Sequence, residues 1–396
     1  MRINSYHSIF IDFDGTITEN DVGYEMFRKF TADATEPLVK LYRDGLMNSR
    51  DCLAGECDIW NECSPSNEDV NAYLDAQKLT SGFTEFLTFL KERDIKPYIL
   101  SEGFSFYIDR ILTTHGLSHL KRVTNIAAFN DGRLTYEFPY HKQGCDQCSS
   151  CKAFHINQIR PAKLSAIYIG DGHSDLHGAR AADIVFARSH LAELLALEDK
   201  AFIPYRDFHD IAAAIETIFE QQLFTQTKRL NFCLVSHRHL REIQTLWENG
   251  DVMQYVGYPD GLGKTDAYYN HLLDKLETNN NIIYTAIEGK DGAYMGEAKI
   301  AFPNDDGICK PDLKLLPEYR GKGFGFEAWN MIIDRTGCRW PDASLIVTPN
   351  IENKRAINMY HKLGFKFDGK VQIWHPQADQ TNAVPVHYRK MIRTKI

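Results

Sequence analysis

Ile9-Phe10-Ile11-Asp12-Phe13-Asp14-Gly15-Thr16 closes an apolar run with two carboxylates separated by a single residue. The run reads as a buried strand, and Gly15 permits a sharp turn directly after it. Asp12 and Asp14 then converge on one small volume past the strand end. Like charges that close need a cation beside them, or one of them must hold a proton. A hard, oxygen-ligated ion such as Mg²⁺ suits the pair, leaving one carboxylate to attack phosphorus and the other to move a proton.

Outward from this stretch, strand-like runs recur at Ser8–Phe13, Lys96–Leu100, Leu164–Gly170, Asp183–Ala187 and Ala201–Tyr205, with helical patterns between them. Alternation of this kind implies a mostly parallel α/β sheet, with functional groups at the carboxyl ends of its strands. The segment from Thr18 to about Thr80 breaks the alternation. It is polar and helix-compatible, and reads as a helical cap inserted after the first strand. Three further pieces stand at strand ends or helix starts. Ser101, with Glu102-Gly103-Phe104 behind it, offers a hydroxyl and backbone N–H groups for phosphate oxygens. Lys152 supplies a cation before the next strand. Gly170-Asp171-Gly172-His173-Ser174-Asp175 brings carboxylates to complete a metal shell.

In this order the pieces resemble the haloacid dehalogenase (HAD) superfamily, in its phosphoserine-phosphatase-like branch and near the methionine-salvage phosphatases. The likeness runs from residue 8 to about 215 and includes Phe186-Ala187-Arg188 and Pro204-Tyr205-Arg206-Asp207-Phe208. It implies a Rossmann-like core with Asp12 as nucleophile and Asp14 as acid and base. It further implies Thr16, Ser101, Gly103 and Lys152 around the phosphoryl group, and Mg²⁺ on Asp12, the Asp14 carbonyl and Asp171 with Asp175 in support. The chain departs from the pattern at Glu102, where relatives usually have glycine. Asp21 stands where phosphoserine phosphatases carry a glutamate that reads a substrate amine, although a solvated cap aspartate would look the same. Arg43 and Arg50 in the cap are candidates for a second anionic group of the substrate.

Cys145, Cys148 and Cys151 precede Lys152 at regular spacing, flanked by His141 and His155. Three thiolates and one imidazole would make a tetrahedral Zn²⁺ site, and ordinary reduced thiols are the alternative. The nine cysteines are an odd number, and no export signal precedes Asp12, so reduced thiols and a cytoplasmic location are expected.

A polar stretch at Gln222–Lys228 is followed by a second α/β pattern, so two domains are expected, 1–225 and 226–396. In the second, Leu315-Leu316-Pro317-Glu318-Tyr319-Arg320-Gly321-Lys322-Gly323-Phe324-Gly325 runs from a strand into a helix, and its glycines bare N–H groups for a pyrophosphate. Asn350–Phe365 follows one strand and one helix later. Together with Asp251–Gly257, these phrases resemble the GNAT acyltransferase superfamily over about 229–370. The resemblance implies acetyl-CoA on the backbone of Arg320, Gly321, Gly323 and Gly325, with Leu315 and Leu316 along its pantetheine. Asn353 would contact the cofactor and Tyr360 would protonate the departing thiolate. Relatives often carry a glutamate as general base where this chain has Lys310; Asp312 and Glu297 are neighbouring substitutes.

Composition narrows the class. Over 396 residues, 43% hydrophobic and 25% charged content is that of a globular protein, and a net charge of −8 argues against nucleic-acid or anionic-membrane binding. No apolar run approaches the ~18 residues of a membrane span. The expectation is a bifunctional enzyme acting on a small phosphorylated metabolite and an amine acceptor. The alternatives are acyl transfer to a carrier protein, and a phosphatase whose second domain only senses CoA.

Overall fold

The computed structural model describes residues 6–279, 281–375 and 383–394. The chain forms two compact units that divide between Glu220 and Gln221. Among the described residues, no helix is long and apolar enough to cross a membrane.

The first unit is built on seven strands: β1 His7–Ile11, β2 Tyr98–Phe104, β3 Lys121–Asn130, β4 Arg133–Glu137, β5 Ser165–Gly170, β6 Ile184–Ala187 and β7 Ile203–Pro204. Their order is β4-β3-β2-β1-β5-β6-β7, parallel except for the β3–β4 hairpin. Ile9, Phe10 and Ile11 have no exposed surface, as a central strand covered on both faces requires. The chain leaves β1 toward β2 and later returns to its other side at β5. The carboxyl end of β1 is therefore a topological switch point, where an open α/β sheet leaves a crevice.

The cap expected after β1 consists of the helices Val22–Phe30, Glu36–Arg43, Ser49–Cys63 and Asn67–Asp75. Its two ends are stitched together by the Thr18–Leu79 bridge and by Thr80 Oγ1, which donates to the Thr16 carbonyl at 2.7 Å. Trp60, fully buried, packs edge-on against Phe27, Phe30, Phe106 and Phe129 and so forms the hub between cap and core.

The second unit holds two sheets. One runs β13 (Asp312–Leu315), β11 (Tyr294–Ala301), β10 (Ile282–Gly289), β9 (Leu230–Leu234) and β8 (Leu223–Gln226). The other runs β12 (Ile308–Cys309), β14 (Ser344–Val347), β16 (Val386–Arg393) and β15 (Lys366–Trp374). The helix Phe324–Arg339 buries Ala328, Trp329, Ile332 and Ile333 in the core these strands share. The stretch read from sequence as a polar link is in part a strand. Leu223, Phe224 and Thr225 are buried, and β8 pairs with β9 as an edge of the second unit.

Candidate functional site

Asp12, Asp171 and Asp175 each place a carboxylate oxygen within 4.8 Å of the others at the carboxyl ends of β1 and β5. Gly15, at φ +71°, lets the chain turn under them; a Cβ there would stand 2.6 Å from Asp171 Oδ2. Lys152 opens the helix Lys152–Ile159 with only 1% of its surface exposed. Its ammonium donates to Asp12 Oδ1 at 2.5 Å and also to Asp175 Oδ1. Burial alone would lower this lysine, but Asp12 and Asp175 hold it above the ordinary range. Asp12 is raised by burial and by Asp175, against the pull of Lys152. Asp171 is pushed up to about 7 by burial and the Asp175 charge. One ammonium among two buried carboxylates and a half-buried one leaves negative charge in excess, so the site favours a further cation or protons.

Asp175 has both oxygens engaged. Oδ2 accepts from the Asp171 and Gly172 N–H groups at 2.8 Å each, and Oδ1 accepts from Tyr168 Oη at 2.5 Å besides Lys152. It therefore orients the loop and the lysine. Thr16, expected on the phosphoryl group, is fully buried and donates to Asp171 Oδ1 at 3.0 Å. Arg188 donates to the Gly15 carbonyl and lies over the Tyr205 ring at 5.2 Å, which places Phe186–Arg188 and Pro204–Phe208 behind the turn.

Asp14 is not one of the three clustered carboxylates. Its Oδ2 accepts from Tyr107 Oη at 2.6 Å and its Oδ1 from the Gly23 N–H at 3.0 Å. Burial first, and Asp21 next, push it up to about 7. Ser101 Oγ lies 3.5 Å from Asp14 Oδ2 and accepts the Gly103 N–H at 2.9 Å. A side chain at Gly103 would collide with the Tyr107 hydroxyl, so this glycine is what lets the tyrosine reach Asp14. Asp21 accepts from the Tyr24 N–H at 3.0 Å and so caps the first cap helix. Arg43 lies over the Tyr24 ring at 4.8 Å, and Arg50 pairs with Asp51 at 2.7 Å.

Glu102 turns its carboxylate away from the phosphate loop. Its Oε2 accepts from Ser49 Oγ in the cap and from Ser149 N–H and Oγ at 3.0 and 2.9 Å in the cysteine loop. That loop brings Cys145, Cys148 and Cys151 together, and the fourth group beside them is His177. Neither flanking histidine takes that place. His155, one turn into its helix, bonds Ser150 Oγ at 2.9 Å and packs on Tyr140, and His141 lies outside the cluster. Tyr107, Tyr168 and His177 carry no sequence signal that separates them from ordinary aromatic or helical positions; only the fold brings them to the site.

In the second unit, a cleft of about 1710 Å³ is lined by Leu315, Arg320, Gly321, Gly323, Gly325, Asn353 and Tyr360. Gly321 and Gly323 are left-handed, at φ +78° and +84°, directly before the helix Phe324–Arg339. The N–H groups of that first turn have no acceptor within the helix. Lys310, Lys354 and Arg355 also reach the cleft. Leu316 does not; it lies just past the end of β13 and packs beside Leu246, Val252 and Met253. Asn353 spends its Oδ1 on the Ala356 N–H at 3.1 Å as a helix cap. Tyr360 stacks edge-on with Trp329 at 5.2 Å, and burial, with Asp312 next, raises its phenol. Asp312 lines the cleft and pairs with Lys314 at 2.5 Å. Glu297 is 3% exposed and accepts from Trp247, Tyr284 and Lys314.

Residues 7–201 match the model of the Putative Phosphatase family, and residues 229–366 match that of the GNAT acetyltransferase domain. The 2-hydroxy-3-keto-5-methylthiopentenyl-1-phosphate phosphatase of Bacillus velezensis is 28% identical over 226 residues, covering 56% of this chain and 94% of that protein. Its namesake from Lysinibacillus sphaericus is 27% identical over 222 residues, covering 54% and 95%. Among solved structures, spermidine N-acetyltransferase of Vibrio cholerae with CoA and spermine covers 42% of this chain and 95% of its own, at 18% identity and a TM-score of 0.37. The chain thus joins a phosphatase domain of the HAD type to an acetyltransferase domain of the GNAT family, and is an enzyme of both kinds.

Proposed function

We propose that the first unit is a Mg²⁺-dependent phosphomonoesterase working through an aspartyl-phosphate, and that the second acetylates an amine from acetyl-CoA. The observation that carries the first reading is the single volume shared by Asp12, Asp171 and Lys152, with Asp14 beside it and held near 7. The donor set fits Mg²⁺, since every ligand oxygen is hard and the carboxylates outnumber the ammonium. Asp12 and Asp171 would hold the ion, with Asp175 as orienter; when bound, the ion offsets the charge of the phosphoryl oxygens. Asp12 Oδ attacks phosphorus while the ester P–O bond breaks, and Asp14 gives its proton to the leaving oxygen. Asp14 then takes a proton from the water that attacks phosphorus, and the Asp12–phosphorus bond breaks to release phosphate. Lys152 and Ser101 hold the transferring group throughout.

In the second unit, the left-handed glycine turn and the basic lining of the cleft support binding of a pyrophosphate. Acetyl-CoA supplies the thioester. Asp312, one of the carboxylates that line the cleft, accepts the proton of the attacking amine. Tyr360, kept protonated, donates to the departing thiolate. The test is phosphate release across small phosphorylated metabolites with Mg²⁺, beginning with the substrate named for the methionine-salvage relatives, in wild type and Asp12→Asn. Release that survives the substitution would remove Asp12 as nucleophile.

A further inference from the structure

We propose that Cys145, Cys148, Cys151 and His177 bind one Zn²⁺, and that this ion clamps the two segments that carry Lys152 and Asp175. The sulfur atoms and the His177 ring nitrogen all lie within 4.8 Å of one another. His177 Nδ1 is 3.6 Å from Cys145 Sγ and 3.2 Å from Cys148 Sγ. A tetrahedral ion with Zn–S of about 2.3 Å and Zn–N of about 2.0 Å needs its ligand atoms roughly 3.5–3.8 Å apart. The two His177 separations bracket the required sulfur–nitrogen spacing, and the 4.8 Å bound on the remaining pairs leaves the four atoms near the corners of such a tetrahedron.

The surroundings are those of a built site. Cys148 and Cys151 are 7% and 2% exposed. The Cys148 N–H points at Cys145 Sγ at 3.4 Å, so the loop presents an N–H to a sulfur across the Cys-x-x-Cys turn. Gly144, at φ +87°, wraps the chain over Cys151 where a Cβ would stand 2.6 Å from Phe154 Cβ. The loop is anchored independently of the thiols: Ser49 N–H donates to the Gln147 carbonyl at 2.9 Å, and Asn125 donates to Ser149 Oγ at 2.8 Å. A loop so fixed brings three soft donors and one imidazole to a point, a donor set that selects Zn²⁺ over the hard cation of the carboxylate site.

The placement gives the ion its role. Cys151 directly precedes Lys152, and His177 follows Asp175 by two residues at the start of the helix Leu176–Ala181. Lys152 and Asp175 bond each other across the gap between these segments. A metal on Cys151 and His177 ties the same segments a second time, outside the reacting volume. Binding releases the thiol protons, leaving three thiolates and a neutral imidazole on the ion.

The test is metal content of the full chain, expressed with zinc and purified without chelators. One zinc per chain is expected, and it should persist in Asp12→Asn and Asp171→Asn. His177→Ala should lower the stoichiometry several-fold, and His177→Cys should restore it as a four-thiolate site. Should His177→Ala fail to fold, Co²⁺ loaded into the wild-type chain provides the reading: thiolate charge-transfer bands with intense tetrahedral d–d absorption are expected. A wild-type chain that retains less than a tenth of an equivalent of zinc, or weak octahedral Co²⁺ bands alone, overturns the proposal. So does zinc that disappears in Asp171→Asn, since the metal would then sit on the carboxylates. Because stoichiometry is read without turnover, failure here is distinct from failure of the phosphatase reading.

Discussion

Asp14 keeps a proton into the neutral range because burial and the Asp21 charge both disfavour its ionised form. A leaving-group acid with a pKa of about 7 predicts that kcat falls as pH rises through that value, and that the alkaline limb is absent from the residual rate of Asp14→Asn. A pH–rate profile checks this; an alkaline limb unchanged in the variant would assign it elsewhere. Asp12→Asn should lower kcat by at least on the order of 10³-fold with the melting temperature retained, since the charge removed is that of the proposed nucleophile. Asp14 and Asp171 also make stability depend on pH. Both are raised to about 7, so between about pH 4 and pH 7 the folded chain holds protons that the unfolded chain has released. Their contribution is greatest near pH 4 and is lost as pH rises through 7. Chain depleted of Mg²⁺ by exchange should therefore melt ~5 °C lower at pH 7.5 than at pH 5.5, with added Mg²⁺ narrowing the gap by binding the ionised carboxylates. Equal melting temperatures at both pH values, with and without Mg²⁺, would contradict the assignment.

At the scale of elements, Glu102 fastens β2 to a cap helix through Ser49 and to the cysteine loop through Ser149. Glu102→Ala leaves those buried donors without their acceptor and should cost about 2–3 kcal/mol in denaturant melts of the first unit. A loss near zero would mean the serines re-pair. The strands that carry Asp12, Ser101 and Asp171 were legible because their apolar runs end at the reacting residues. The hairpin of β3 and β4 was not read from sequence, although Asn130-Asp131-Gly132-Arg133 carries its signal: Asp131 and Gly132 sit at φ +48° and +78°, as a two-residue hairpin turn demands. Polar residues along β3 hid it, since one face of an edge hairpin is wet and lacks a continuous apolar run. Glu102 could be seen as a departure but not explained, because its partners lie in a different helix and a different loop. His177 was out of reach for the same reason, being separated from the cysteines by a helix and a strand.

Across the whole molecule, the carboxylate site and the glycine-turn cleft are each built from residues of one unit alone. Tyr360→Phe keeps the packing on Trp329 and Phe365 while removing the proton donor. It should slow acetyl transfer on the order of 10²-fold and leave phosphate release unchanged; parallel loss of both rates would point to a fault in folding instead. The edge strand β8 carries a practical consequence. A severed second half beginning at Thr227 would lose Phe224, which is fully buried, and bare the outer N–H and C=O groups of β9. Such a raw edge recruits strands from other molecules, so that fragment would precipitate where one cut before Gln221 stays dispersed.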